Sequence, residues 1–182
     1  MNSRSEEQAE ILAGLSEFRT AETIDVPSVK CEQIVSALGQ FMECVRYLNT
    51  RRSKGAKLNL ESEADVQDAL YLMLRPWVLD LVNENPTDKI GNRFSIKDFI
   101  SKEARTVIEA KYVRDAAHGK SIAKELHDDI ETYRHHPSCD HLVFFVYDPD
   151  SLIPNVAALQ AEMNTKRVYD GKPLVCHLIV CP

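Results

Sequence analysis

The chain has 182 residues, 44% apolar and 27% charged, with a formal charge of −6, the make-up of a globular protein long enough to bury a core. That acidic balance creates no overall field attracting nucleic acid, which counts against a simple phosphate-coating protein but leaves room for an acidic metal site beside a local basic strip. No apolar stretch is long enough to span a bilayer, and "MNSRSEEQAE" lacks the apolar run of a secretory signal, so a cytoplasmic location without a membrane partner is expected.

In chain order, "SEEQAEILAGLSEF" reads as a helix and "RTAETIDVPS" as a polar, irregular connection. From Ser28 to Asn49, residues Ile34, Leu38, Phe41, Met42, Val45 and Leu48 recur at three- and four-residue steps, which predicts one amphipathic helix. The next stretch, "TRRSKGAKLNL", is basic through Arg51, Arg52, Lys54 and Lys57, and is read first as a solvated loop and second as a phosphate-contacting strip. "ESEADVQDALYLMLRPWVLDLV" predicts a helix with an acidic first turn, an apolar face of Val66, Ala69, Leu70, Met73 and Leu74, and a kink or stop at Pro76.

"RFSIKDFI" and "RTVIEAKYV", joined by "SKEA", predict an antiparallel hairpin. "KSIAKELHDDIETYR" returns to helical spacing, with Ile122, Ala123, Leu126, Ile130 and Tyr133 on one face. "DHLVFFVYD" is apolar on both sides, as a central strand covered by helices should be. "VAALQAEMNT" is a short helix, "YDGKP" a turn and "LVCHLIV" a final buried strand. The division expected is a helical extension over residues 1–57 and a main domain over 58–182, an α/β fold with helices on a mixed sheet.

The five cysteines, Cys31, Cys44, Cys139, Cys176 and Cys181, are odd in number and contain no CxxC pair, which argues against a zinc site or a disulfide framework. Cys44 and Cys176 read as small core residues.

The chemistry of interest lies in the hairpin. Alternate side chains of a strand point to opposite faces, so Glu109 and Lys111 share one face while Ile108 and Ala110 take the other. Burying a carboxylate and an ammonium costs free energy unless they are paired or engaged with a metal. The bland reading is an exposed ion pair. The functional reading adds Asp98 from the preceding strand: phosphodiester hydrolysis needs a hard cation held by carboxylate oxygens, and a lysine whose pKa is depressed can orient or deprotonate the attacking water.

Asp98, ten intervening residues and Glu109-Ala110-Lys111 together resemble the PD-(D/E)xK, or restriction-endonuclease-like, superfamily, with Lys97 standing where the family name has proline. "SEADVQDALYLML", "FSIKDF", "VIEAKYVRD", "LHDDIETYRHHP" and "DHLVFFVYDP" follow that family's αβββαβ order and look most like small nuclease domains of bacterial restriction and phage-defence systems. The resemblance implies an αβββαβ core and a DNA endonuclease using Mg²⁺, for which Mn²⁺ can substitute. It implies Asp98, Glu109 and the Ala110 carbonyl as metal ligands, Glu63 or Asp65 from the preceding helix as a further one, and Lys111 as the group that positions water. It also sets the helix carrying Asp129 and Tyr133 beside the active face, although a helix cap or a tertiary hydrogen bond is the simpler role for these two.

Arg114, Lys120 and Lys124, with Arg51 and Arg52, are read as phosphate contacts, which position nucleic acid without reading its sequence. A homodimer, or a partner protein bound through the amino-terminal helices, suits a small nuclease that must cut two strands, with an intramolecular role as the alternative for the Ser28–Asn49 helix.

Three rivals are weaker. "RDAAHGKS" is similar to the end of a phosphate-binding loop, but Arg114 occupies the place of the first required glycine, and Gly119 more simply lets a helix start. His127-Asp128 in "LHDDI" would suit a helical metal phosphohydrolase, yet His118 is the first histidine in the chain, and His135, His136, His141 and His177 show no metal-ligand spacing. A nuclease fold serving only as a non-catalytic or partner-activated module of a defence or repair complex would be marked by a lost ligand, and none is lost.

Overall fold

A computed structural model describes residues 28–50, 54–55, 57–83 and 99–182. The expected helix near the amino terminus, Arg51, Arg52, Asp98 and most of "RFSIKDFI" lie outside the described residues. The elements are α1 (Cys31–Gly39), α2 (Phe41–Thr50), α3 (Glu63–Leu74), β1 (Val82–Asn83), β2 (Phe99–Ser101), β3 (Thr106–Tyr112), α4 (Ala116–Tyr133), β4 (His141–Tyr147), α5 (Val156–Met163), β5 (Lys166–Tyr169) and β6 (Lys172–Cys181). Among the described residues no helix is long and apolar enough to cross a membrane.

Among the described residues the strands form one six-stranded sheet in the order β1-β2-β3-β4-β6-β5. β3, β4 and β6 run parallel, while β1–β2, β2–β3 and β5–β6 are antiparallel. This is the expected mixed sheet, and α3-β1-β2-β3-α4-β4 reproduces the αβββαβ order. One apolar cluster joins α1, α2 and α3 to Ile108, Ala110, Val143 and Phe145, and a second joins α4 and α5 to Val107, Leu142, Phe144 and Val146. Alternate residues of β3 and β4 thus serve opposite layers, which is why β4 is apolar throughout.

The stretch 28–49, expected as one helix, is two. After Gly39 the chain leaves helical geometry at Gln40 (φ −95°, ψ 2°) and restarts at Phe41. Glycine weakens a helix interior, and the break lets two short apolar faces meet one sheet. Ile34, Leu38, Phe41 and Val45 are all buried in the cluster under α3, and the Phe41 ring stands edge-on to Phe145 with centroids 4.8 Å apart. Each such side chain contributes roughly 1.5–3 kcal/mol of burial. Cys44 corrects the sequence reading: it is exposed on α2, whereas Cys176 is buried as expected.

α3 is capped by Ser62, whose side chain accepts from the Asp65 N–H, and it ends just before Pro76. α4 begins four residues earlier than expected because Asp115 Oδ1 accepts the His118 N–H at 2.7 Å. Gly119 therefore does not start the helix. A Cβ there would stand 2.4 Å from the Leu152 carbonyl oxygen, so the glycine lets the chain after β4 lie directly on α4. That chain is held by buried Asp148, which accepts from the Leu152 and Ile153 N–H groups at 2.8 and 3.0 Å.

β5 escapes the sequence reading because an edge strand is half polar and short. It joins β6 through Asp170-Gly171, both at positive φ (50° and 81°), the tight hairpin turn that Asp-Gly favours.

Candidate active site

Glu109 and Lys111 project from β3 toward α4, while Ala110 joins the cluster on the other face. Glu109 is only 4% exposed. The Tyr133 hydroxyl donates to Glu109 Oε1, and Lys111 Nζ lies 3.1 Å from Asp129 Oδ2 and 4.0 Å from Glu109 Oε2. Residues four apart lie one above the other on a helix, so Asp129 and Tyr133 reach the same strand face together. They make tertiary contacts, and the contacts fall on the Glu-x-Lys pair. Asp129 Oδ2 is buried and, its ion pair with Lys111 aside, makes no hydrogen bond among the described residues.

Burial by itself pulls the Lys111 pKa down, but the carboxylates of Asp129, Glu109 and Glu63 together outweigh it and hold the ammonium above the ordinary lysine value. The protein groups around Lys111 thus raise its pKa, where the sequence reading expected surroundings that depress it. Asp129 is pushed up by burial and by the neighbouring charges of Glu125 and Asp128, against the opposing pull of Lys111.

Glu63, in the first turn of α3, is close enough for its charge to act on Lys111. Asp65 faces other partners: its Oδ2 accepts from the Ser62 hydroxyl at 2.7 Å and the Glu61 N–H at 3.0 Å, bonds that hold its carboxyl below the ordinary range. Phe99, which follows Asp98 in sequence, pairs with Ile108, which precedes Glu109.

Among the basic residues, Arg114 is exposed and 3.7 Å from Asp115, Lys120 is exposed, and Lys124 pairs with Asp128 at 2.8 Å. Of the histidines in the rival readings, His118 and His127 have local partners. His118 Nε2 is 3.3 Å from Glu125, and His127 Nε2 is 2.6 Å from Glu162.

Glu109 and Asp129 present carboxylate oxygens beside one ammonium, with the charge of Glu63 acting on it from nearby, and carboxylate oxygens are the donor type of a hard cation such as Mg²⁺ rather than of a thiolate-seeking metal. Sequence reasoning placed Glu109 and Lys111 on one face. The resemblance set the helix carrying Asp129 and Tyr133 beside the active face, and the structure adds which partners the two side chains meet there.

The restriction endonuclease family model REase_DpnII-MboI matches residues 32–175. No curated protein and no solved structure matches the chain. The match spans α1 through most of the sheet, including Glu109, Lys111, Asp129 and Tyr133, and the chain therefore belongs to the DpnII-MboI restriction endonuclease family of DNA-cleaving nucleases.

Proposed function

We propose that the protein is a Mg²⁺-dependent DNA endonuclease of a restriction or phage-defence system, acting in the cytoplasm, with Mn²⁺ able to substitute. The observation that carries this reading is the convergence of Glu109, Lys111, Asp129 and Tyr133 on one side of β3 in a member of a restriction endonuclease family. Asp98, Glu109 and the Ala110 carbonyl would hold the cation, and Glu63 would complete the set in preference to Asp65, whose carboxylate is engaged at the start of α3. The chemistry such a cation supplies when bound is neutralisation of phosphate charge and activation of water.

The chain's own residues do the rest. Tyr133 fixes the Glu109 carboxylate, so one oxygen is committed and the other is aimed along the strand toward Lys111. Lys111, kept as an ammonium by its acidic neighbours, donates hydrogen bonds that orient the attacking water and the phosphate oxygens. Arg114, Lys120 and Lys124, with Arg51 and Arg52, neutralise the flanking phosphates. In this reading residues 58–182 carry the chemistry, and 1–57 form a helical extension whose α1 and α2 also cover the sheet. Two copies, or one copy and a partner protein, meet through these helices, where Tyr47 is 73% exposed.

The test is cleavage of supercoiled plasmid by the full chain with Mg²⁺ or EDTA, alongside Asp98→Ala, Glu109→Gln and Lys111→Ala variants matched for folding. Cutting that needs the metal and falls by at least about 100-fold in each variant supports the reading. Intact DNA with the wild type, or equal cutting by the variants, overturns it in favour of a non-catalytic or partner-activated module.

A further inference from the structure

Cys31 opens α1, His141 opens β4 and His177 lies within β6. In the parallel β4–β6 pairing His141 faces Val175 and Val143 faces His177, which makes the two histidines diagonal neighbours on one face of the sheet. Their rings stack with centroids 5.8 Å apart and planes inclined by 23°. Cys31 reaches the same point, and one potential ligand atom from each of the three residues lies within 4.8 Å of the others.

This face is the one covered by α1 to α3, since Val143, Phe145 and Ile179, in phase with the histidines along their strands, belong to that cluster. Glu109 and Lys111 point through the opposite face to α4. The two groups of side chains are separated by the sheet itself.

Nδ1 of His141 and Nε2 of His177 are buried without a hydrogen-bond partner among the described residues. Buried polar atoms are nearly always satisfied, and an orphaned pair beside a cysteine calls for a ligand. Imidazole nitrogen and thiolate sulfur are the donors of Zn²⁺ and poor ligands for Mg²⁺. Tetrahedral bonds of about 2.0–2.3 Å set ligand atoms on the order of 3.5 Å apart, so the three must draw together by no more than about 1.3 Å from their 4.8 Å limit. Glu32, next in the chain, lies near enough for its negative charge to act on both Cys31 and His177, which favours a cation between them.

We propose that Cys31, His141 and His177 bind one Zn²⁺ ion, which pins the start of α1 to β4 and β6. Binding exchanges the thiol proton for the metal and releases it to solvent. The bland alternative is a stacked histidine pair beside a core cysteine whose thiol contacts Thr106, and that arrangement leaves both ring nitrogens unsatisfied.

The test is titration of the chelator-treated full chain with Co²⁺, a spectroscopic stand-in for Zn²⁺, reading the thiolate-to-cobalt absorption in the near ultraviolet. One equivalent should bind, be displaced by Zn²⁺, and persist unchanged in Glu109→Gln and Cys44→Ser. Cys31→Ser should abolish the thiolate band, and His141→Ala and His177→Ala should each weaken binding at least tenfold. Zn²⁺ should also raise the melting temperature of the wild type, a readout that needs no variant to fold, and raise that of His141→Ala by less. Absence of the band in the wild type, its survival in Cys31→Ser, or indifference to both histidine changes would overturn the proposal. Because no arm reads DNA cleavage, failure here and failure of the nuclease reading are distinguishable.

Discussion

Tyr133, on the last turn of α4, donates its phenolic hydrogen bond to Glu109 in the middle of β3, and both side chains are buried. A carboxylate held in this way has lost its rotational freedom before any cation arrives. Tyr133→Phe removes the bond and little volume, so the fold should survive while cleavage at limiting Mg²⁺ falls roughly 10–100-fold. The dependence of cleavage rate on Mg²⁺ concentration checks this. An unshifted Mg²⁺ curve would mean that the tyrosine only fills space.

Asp129 is the strongest of the charges that raise the Lys111 pKa, and burial works against it. Asp129→Asn therefore leaves burial with less opposition, and the Lys111 pKa falls. If Lys111 acts as an ammonium, cleavage is sustained below that pKa and lost above it, so the alkaline limb of the pH–rate profile should move to lower pH in the variant. A limb that stays in place would rule out the ammonium role.

Glu63 and Asp65 share a helical turn but have different neighbours. Glu63→Gln should slow cleavage with little change in melting temperature. Asp65→Ala should do the reverse, because it removes the acceptor for the Ser62 hydroxyl and the Glu61 amide at the start of α3. Measuring both properties for both variants separates a site residue from a capping residue, and identical behaviour would remove the distinction drawn between them.

Gly119 leaves no room for a methyl group, since the obstacle is the backbone carbonyl of Leu152. Gly119→Ala should cost about 1–3 kcal/mol and lower the melting temperature by several degrees, at roughly 2–4 °C per kcal/mol for a chain of this size. Thermal denaturation followed by circular dichroism decides it. An unchanged melting temperature would show that the loop after β4 does not rest on α4.

Local patterns determined much of this protein. The spacing of Ile122, Leu126, Ile130 and Tyr133, the unbroken apolar run of β4 and the alternation of Glu109, Ala110 and Lys111 each specify an element and its buried face through nearest-neighbour geometry alone. The break at Gln40 and the edge strand β5 were illegible, because the first depends on how two short helices fit a sheet formed elsewhere in the chain and the second on pairing with β6.

The sites divide in the same way. Two charges on one strand face are a property of the strand, whereas Asp129 and Tyr133 join them only because α4 crosses that face at the right height. Cys31, His141 and His177 are the extreme case: no spacing rule connects residues so far apart along the chain, and only parallel pairing of β4 with β6 and packing of α1 against them bring the three together. Short-range periodicity is written in the chain, but the meeting of distant side chains depends on how whole elements pack.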